Sequence, residues 1–418
     1  MRTLCQGLFG LRTLYNQAMT SVEASKNSNL SAARSTKNDE FYTQWADIER
    51  EMNAYLDYNS DAFRDKTILL PCDDPEWSNF AKFFALHFHD YGLKKLIATS
   101  FAPDSNPGLP SYQPTLFETE DPKFDEVKTR VRGKLFVLDR DINGDGIVNI
   151  DDLQWDYLGG DGDFRSPEVT ALRDEADIVV TNPPFSLFAE FVNWLIEGEM
   201  SFVVIGSNSA PTTKEIFPLI RDNKLWFGYG FHRGNAYFRV PDGCESNYAN
   251  GVYDPQTGLV KFRNVNWYTN IEHGRRHEPL QLMTMADNLK FSKHKEVKGV
   301  GYQKYDNFDA INVPYTDAIP SDYDDTMGVP VSFLSRYNPD QFEIVGITTS
   351  YDRQQSKRYP KQIQVNPNGT RKEVGKLNDA PSIKTPSPPA GKTYYIVGDD
   401  TYVLAYHRIL IRRRGANG

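Results

Sequence analysis

The sequence predicts an α/β protein: a doubly wound, largely parallel sheet, followed by a separate irregular region that contains β-strands. Three observations predict this. "KTILLPCDD", "PEWSNFAKFFALHFHDYGL" and "KKLIATSF" follow one another as strand, helix and strand, a βαβ unit with parallel pairing. The pattern resumes with strand "ADIVVTNPPF", helix "SLFAEFVNWLIEGE", strand "MSFVVIGSNS", helix "TKEIFPLIRDN" and strand "KLWFGYG". From about residue 280 helical periodicity fades, Tyr, Pro, Asp and Asn rise, and short runs such as "FEIVGI", "TYYIVGD" and "YVLAYHRILIRRR" appear.

Taken in order, "MRTLCQGLFGLRTL" has leucines at 4, 8, 11 and 14 and reads as a short amphipathic helix, with Gln6 and Arg12 interrupting any signal-peptide core. Residues 21–38 are small and polar and read as a linker. Trp45, Ile48, Met52 and Leu56 then mark one face of a helix. Pro75 is expected in the first turn of the helix after "PCDD". "NDAPSIKTPSPPAGK" reads as an exposed Pro-rich loop. The expected organisation is an N-terminal helix and linker (1–35), an α/β domain (36–280) with an insertion at 139–153, and a β-containing region (281–418).

A chain of 418 residues with 39% hydrophobic and 13% aromatic content suits a globular protein of two domains. No apolar run approaches the ~20 residues that span a bilayer, so no membrane role is expected. Cys5, Cys72 and Cys244 are odd in number and widely spaced, which argues against a disulfide framework and for a reducing, cytoplasmic home. Net charge is −9, but residues 351–418 hold thirteen Lys/Arg and five Asp/Glu. A basic tail on an acidic body is the asymmetry of a phosphate-binding partner, with a solvated surface as the bland reading.

The corner Asn182-Pro183-Pro184-Phe185 carries the first chemistry. Two prolines forfeit two backbone donors just where a buried strand ends. An exocyclic amine is planar through conjugation with its ring. The Asn182 Oδ1 and the Pro183 carbonyl together can accept its two hydrogens and leave its lone pair facing an incoming methyl. Phe185 offers a ring face to a flipped base. A tight turn before a helix is the structural alternative, and the same tetrapeptide also serves enzymes acting on RNA bases or protein glutamine.

Three further stretches read as a pocket for S-adenosylmethionine. Phe41, Tyr42 and Thr43 precede a helix and can meet the methionine end, or Thr43 simply caps that helix. Asp73, Asp74 and Pro75 put two carboxylates at a strand end, facing a ligand that carries a sulfonium and an ammonium. Asp163 and Phe164, in "GDGDFRS", can meet the adenine amine and ring, or the loop is only a glycine-rich turn before a helix.

In order along the chain, "NDEFYT", "CDDPEWSNF", "KKLIATSF", "GDGDFRS", "ADIVVTNPPFSLF", "KEIFPLI", "FRVPD" and "NWYTNIEHGRRHEPL" resemble the EcoRI-type adenine-specific DNA methyltransferases. "YDNFDAINV", "MGVPVSFLSRYNPDQFEIVG" and "RILIRRR" extend the likeness over roughly residues 36–414. The resemblance implies a Rossmann-like S-adenosylmethionine-dependent sheet, a C-terminal target-recognition region, and methyl transfer to N6 of a flipped adenine in duplex DNA. It also implies a protein that is solitary or paired with a cognate restriction endonuclease, and a monomer is expected. The acidic "CDDPEW" loop then stands where a glycine-rich turn is usual. An RNA adenine methyltransferase, or a non-catalytic DNA- or calcium-binding protein on the same scaffold, are the alternatives.

Two more constellations stand apart. Arg275, Arg276 and His277 crowd one loop that can touch DNA or be a salt-bridged surface turn. In "LDRDINGDGIVNIDDLQWDYL", Asp141, Asn143, Asp145, Ile147, Asn149 and Asp152 fall at the ligand positions of an EF-hand-like loop, which predicts a structural calcium. A β-hairpin tip with Asp-Gly turns is the competing reading.

Overall fold

The computed structural model describes residues 42–71, 73–75, 78–105, 119, 121–240 and 251–415. The N-terminal helix and linker, Phe41 and all three cysteines lie outside the described residues. The chain divides into two compact units, whose described parts are 42–56, 60–207 and 231–268, and 57–59, 208–230 and 269–415.

The first unit is built on a large mixed sheet. Its strands are β2 (Thr67–Leu70), β3 (Lys95–Thr99), β4 (Lys134–Leu138), β5 (Gln154–Tyr157), β6 (Ile178–Thr181), β7 (Ser201–Ser207) and β12 (Val265–Thr269), in the order β5-β4-β3-β2-β6-β7-β12. β3, β2, β6 and β7 run parallel, with Leu70 opposite Ala98 and Thr181 opposite Val204, whereas β4 and β5 add antiparallel edges. β2 and β6 are buried along their whole length and β3 beyond Lys95, as expected of parallel strands covered on both faces.

Those helices are α1 (Trp45–Tyr58), α2 (Asn79–Leu86), α3 (Glu126–Val131), α4 (Pro167–Glu175) and α5 (Phe188–Glu197). The face predicted for α1 is inside at Ile48 and Met52. α2 buries Phe80, Phe83 and Phe84, and α5 buries Phe188, Phe191 and Trp194. α2 starts later than expected: Pro75 lies in a turn, and Ser78 caps the helix by accepting from the Phe80 amide at 3.1 Å. A hydroxyl acceptor satisfies an end amide that the proline would have left to water.

A second, four-stranded sheet in this unit joins distant sequence. β1 (Tyr42–Thr43) pairs with β9 (Ala236–Arg239), which continues to β11 (Leu259–Phe262) and β10 (Tyr253–Asp254). Thr43 sits opposite Phe238 and is therefore strand, not the helix cap that its position before Trp45 also allowed.

The second unit holds β8 (Trp226–Phe227), α6 (Phe217–Arg221), α7 (Met285–Phe291) and two sheets. One sheet runs β13 (Ile311–Asn312), β14 (Met327–Pro330), β21 (Arg408–Arg413), β15 (Phe342–Ile347). The other runs β17 (Arg371–Val374), β16 (Gln362–Val365), β19 (Tyr394–Val397), β20 (Asp400–Leu404), β18 (Ser382–Thr385). The expected Pro-rich loop is half wrong: Ser382 and Ile383 are buried in β18, which pairs with β20. Hydrogen bonds of Ser382 to Asn307 and Tyr359 hold it there.

Candidate active site

The carboxyl ends of β2, β3 and β6 meet at one buried carboxylate. Asp73 follows β2, and its amide donates to the Thr99 carbonyl at 2.8 Å, tying it to the end of β3. Its Oδ1 accepts from Ser78 Oγ at 2.7 Å, and Thr181 Oγ1, the last residue of β6, stands 2.6 Å from its Oδ2. Thr181 Oγ1 also lies 2.8 Å from the Pro71 carbonyl. Burial raises the Asp73 carboxyl to about 7, against the opposing pull of the Thr181 and Ser78 hydroxyls, and Asp74 beside it pushes the same way as burial. Asp74 itself is half-buried and Pro75 is buried.

The predicted motifs converge here. Asn79, at the start of α2, donates through Nδ2 to the Thr43 carbonyl at 2.8 Å, which fastens β1 to the start of α2. Thr181 immediately precedes Asn182, so the acidic loop and the Asn-Pro-Pro-Phe corner share one hydrogen bond. Asn182, Pro183 and Pro184 lie outside any strand or helix, Pro184 precedes a 3₁₀ turn that begins at Phe185, and Phe185 is 3% exposed. Beyond the corner, Tyr268 Oη donates to the Ser207 carbonyl at 2.6 Å, and its ring packs on Phe188 at 4.9 Å.

The "GDGDF" loop is drawn to the end of β3 by backbone bonds, Ala102 N to Asp161 O at 2.7 Å and Gly133 N to Gly160 O at 3.0 Å. Gly162 takes φ +88°, and a Cβ there would stand 2.1 Å from the Ser100 carbonyl. Only glycine fits. Asp163 is forked onto Arg165, Nε to Oδ1 at 3.0 Å and Nη2 to Oδ2 at 2.7 Å, and that pairing holds its carboxyl below the usual range. Arg165 reaches on to Glu190 at 3.0 Å. Phe164 is 2% exposed, its ring packed on Phe191 at 5.0 Å and Trp194 at 5.6 Å. Helix packing occupies the ring that the sequence suggested for stacking on a cofactor.

The residues fit a cationic cofactor with hydrogen-bonding groups. Thr43 Oγ1 is buried without a hydrogen-bond partner among the described residues, a costly state unless a ligand supplies one. Asp73, a buried acid with no basic partner in its hydrogen-bond set, is the complementary electrostatic feature.

Of two further expectations, one is left unsupported and the other is corrected. The loop 139–153 connects β4 and β5, which pair antiparallel from Lys134–Tyr157 to Val137–Gln154, so no helices flank it. Its oxygens serve the loop's own amides: Asp141 accepts from Gly144 and Gly146, Asn143 from Asp145, and Asp145 from Ile147. Asn149 accepts from Asp151, and Asp152 accepts from Ile142, Asn143 and Asn149. Among the described residues no group of three or more His, Cys, Asp or Glu side chains could hold a metal ion. The connection is a hairpin, and the expected calcium is not supported.

The basic loop is the other. Arg276 is 3% exposed; its guanidinium lies 3.9 Å over Trp226, pairs with Glu272 at 3.1 Å and bonds Asn223. Burial lowers its pKa. It braces the second unit and offers no charge to DNA. Arg275 is half-buried beside Tyr229, whose carbonyl it bonds. His277 stacks on Tyr58 at 5.4 Å and meets Glu272 at 3.0 Å.

Sequence reasoning missed Ser78, Asn79 and Thr181, the residues that join the motifs. Each was visible only as a small polar residue beside one. An α/β chain with a large mixed sheet and an Asn-Pro-Pro-Phe corner at a strand end fits a methyltransferase. More narrowly, residues 29–414 match the family model "Adenine-specific methyltransferase EcoRI", and the chain belongs to that family. It is an adenine-specific DNA methyltransferase.

Type II methyltransferase M.EcoRI of Escherichia coli is 37% identical over 324 residues, 77% of this chain and 90% of that protein. Type II methyltransferase M.MpnI of Mycoplasma pneumoniae is 35% identical over 322 residues, 75% of this chain and 83% of that protein. Type II methyltransferase M.MgeORF184P of Mycoplasma genitalium is 34% identical over 323 residues, 75% and 84% of the two chains. No solved structure matches significantly. No helix among the described residues is long and apolar enough to cross a membrane.

Proposed function

We propose that the protein methylates N6 of an adenine flipped out of duplex DNA, using S-adenosylmethionine bound beyond the ends of β2, β3 and β6. The single observation that carries this is the Asp73–Thr181 contact, which joins the acidic loop to the Asn182 corner. When bound, S-adenosylmethionine supplies an electrophilic methyl group. Tyr42, Thr43, Asp73, Asp74 and Pro75 hold its methionine end, and Asp163 keeps acceptor capacity for its adenine amine although Arg165 occupies one edge.

Asn182 Oδ1 and the Pro183 carbonyl accept the two hydrogens of the target amine and favour a pyramidal nitrogen. Pro183 and Pro184 fix the carbonyl direction, and Phe185 borders the base. No general base is needed, because the proton leaves to water after transfer. Positioning supplies most of the rate. The Rossmann-like arrangement of the sheet, and a target-recognition role for residues 281–418, belong to the same proposal. The type II designation of the relatives supports work alongside a restriction endonuclease.

The test is Asn182→Ala with labelled cofactor, duplex DNA and total RNA. The variant is expected to lose transfer by at least ~100-fold while binding the cofactor as the wild type does. Retained transfer, or labelling of RNA in preference to DNA, overturns the assignment.

A further inference from the structure

We propose that the β16–β17 hairpin and the chain at its base grip the phosphates of duplex DNA, an inference that rests on the DNA-methyltransferase reading. Residues 353–376 hold seven Lys/Arg and one Asp/Glu, in a chain whose net charge is −9. Two of those cations are neutralised, Lys357 by Asp306 at 2.6 Å and Lys361 by Glu373 at 2.8 Å. Arg353, Arg358, Arg371, Lys372 and Lys376 are exposed, and none has an ion pair among the described residues. Like charges gathered this way repel one another in the folded state. Folding gives no reason for them; a polyanion does.

The fold brings these cations together. Gln364 faces Lys372 and Val365 faces Arg371 across the ribbon, next to its tip. At the base, the Leu377 amide donates to Gln362 Oε1 at 3.1 Å, which holds Lys376 beside β16. Tyr359 and Asn378 exchange two bonds, at 2.9 and 3.0 Å, and bring Arg358 to the same end. The tip is fixed as well: Gly369 N donates to Asn366 O and Asn366 N to Thr370 O, both at 2.9 Å, while Asn366 Nδ2 reaches Thr370 Oγ1 at 2.8 Å. A rigid two-stranded ribbon with cations along its sides has the shape that a major groove admits.

The experiment measures affinity for a fluorescent 30-bp duplex of arbitrary sequence (a length chosen at about three helical turns) by anisotropy over a series of KCl concentrations. The Arg371→Ala/Lys372→Ala protein is expected to bind more weakly, with a slope of log K against log[KCl] shallower by about 2. Arg371→Lys should retain the wild-type slope, and Lys304→Ala, whose cation is engaged by Asp309, should leave it unchanged. Cofactor affinity and melting temperature of the double variant are expected to match the wild type. A wild-type slope in the double variant overturns this surface. Failure of the wild type to methylate any duplex DNA would instead sink the functional reading beneath it.

Discussion

Thr181 Oγ1 lies 2.6 Å from Asp73 Oδ2 and 2.8 Å from the Pro71 carbonyl, yet it has only one proton to give. With Asp73 protonated, the acid donates to Thr181 and the hydroxyl proton satisfies Pro71. With Asp73 ionised, that proton turns to the carboxylate and Pro71 loses its donor. The protonation state of the acidic loop is therefore read at the residue before Asn182. Thr181→Val removes both bonds and leaves a buried acid short of a partner, so stability should fall by roughly 1–3 kcal/mol. Urea unfolding checks this, and transfer should fall further than cofactor binding does.

The raised Asp73 carboxyl also predicts how stability changes with pH. Below about 3.8 folded and unfolded chains both hold the proton; between there and about 7 only the folded chain does. Stability should therefore fall as pH rises through this window, by a few kcal/mol in order of magnitude, and level off above it. In Asp73→Asn that slope should shrink to the smaller contribution of Asp47, whose carboxyl burial raises to about 6. Calorimetry of the apoprotein from pH 4.5 to 8 checks it, on the order of one point per half pH unit. Because a cationic cofactor favours the carboxylate, its affinity should rise over the same range in the wild type alone.

Gly162→Ala sets a methyl against the Ser100 carbonyl at a backbone angle that L-residues rarely adopt. A loss of roughly 2–4 kcal/mol is expected, with weaker cofactor binding because Asp163 moves with the loop. Thermal melts and cofactor titration measure the two effects separately.

Arg276→Leu should destabilise by roughly 2–3 kcal/mol, less than a fully buried pair because Glu272 is partly exposed. Arg275→Ala should stay within about 0.5 kcal/mol. Equal effects of the two substitutions on unfolding would contradict the bracing role assigned to Arg276.

Millimolar calcium is expected to leave the melting temperature unchanged, since among the described residues no group of three or more His, Cys, Asp or Glu side chains could hold a metal ion. A shift of several degrees at that concentration would restore the ion.

The sequence by itself determined the parallel strands of the large sheet, the order of the motifs and the corner at Asn182. Apolar strands, helix spacing and paired prolines act through the local backbone, and local backbone is written in neighbouring residues. It could not say that Tyr42 and Thr43 would pair with Phe238 and Arg239, that Ser78 rather than Pro75 would open α2, or that Arg276 would turn inward onto Trp226. The calcium-like spacing was equally legible and equally local, and the structure sets it on a connection between two antiparallel strands rather than between helices. Only the tertiary structure decided which polar groups are buried together. Hydrogen bonds such as Thr181 to Asp73 close over 108 residues of chain, and no periodicity in the sequence carries that distance.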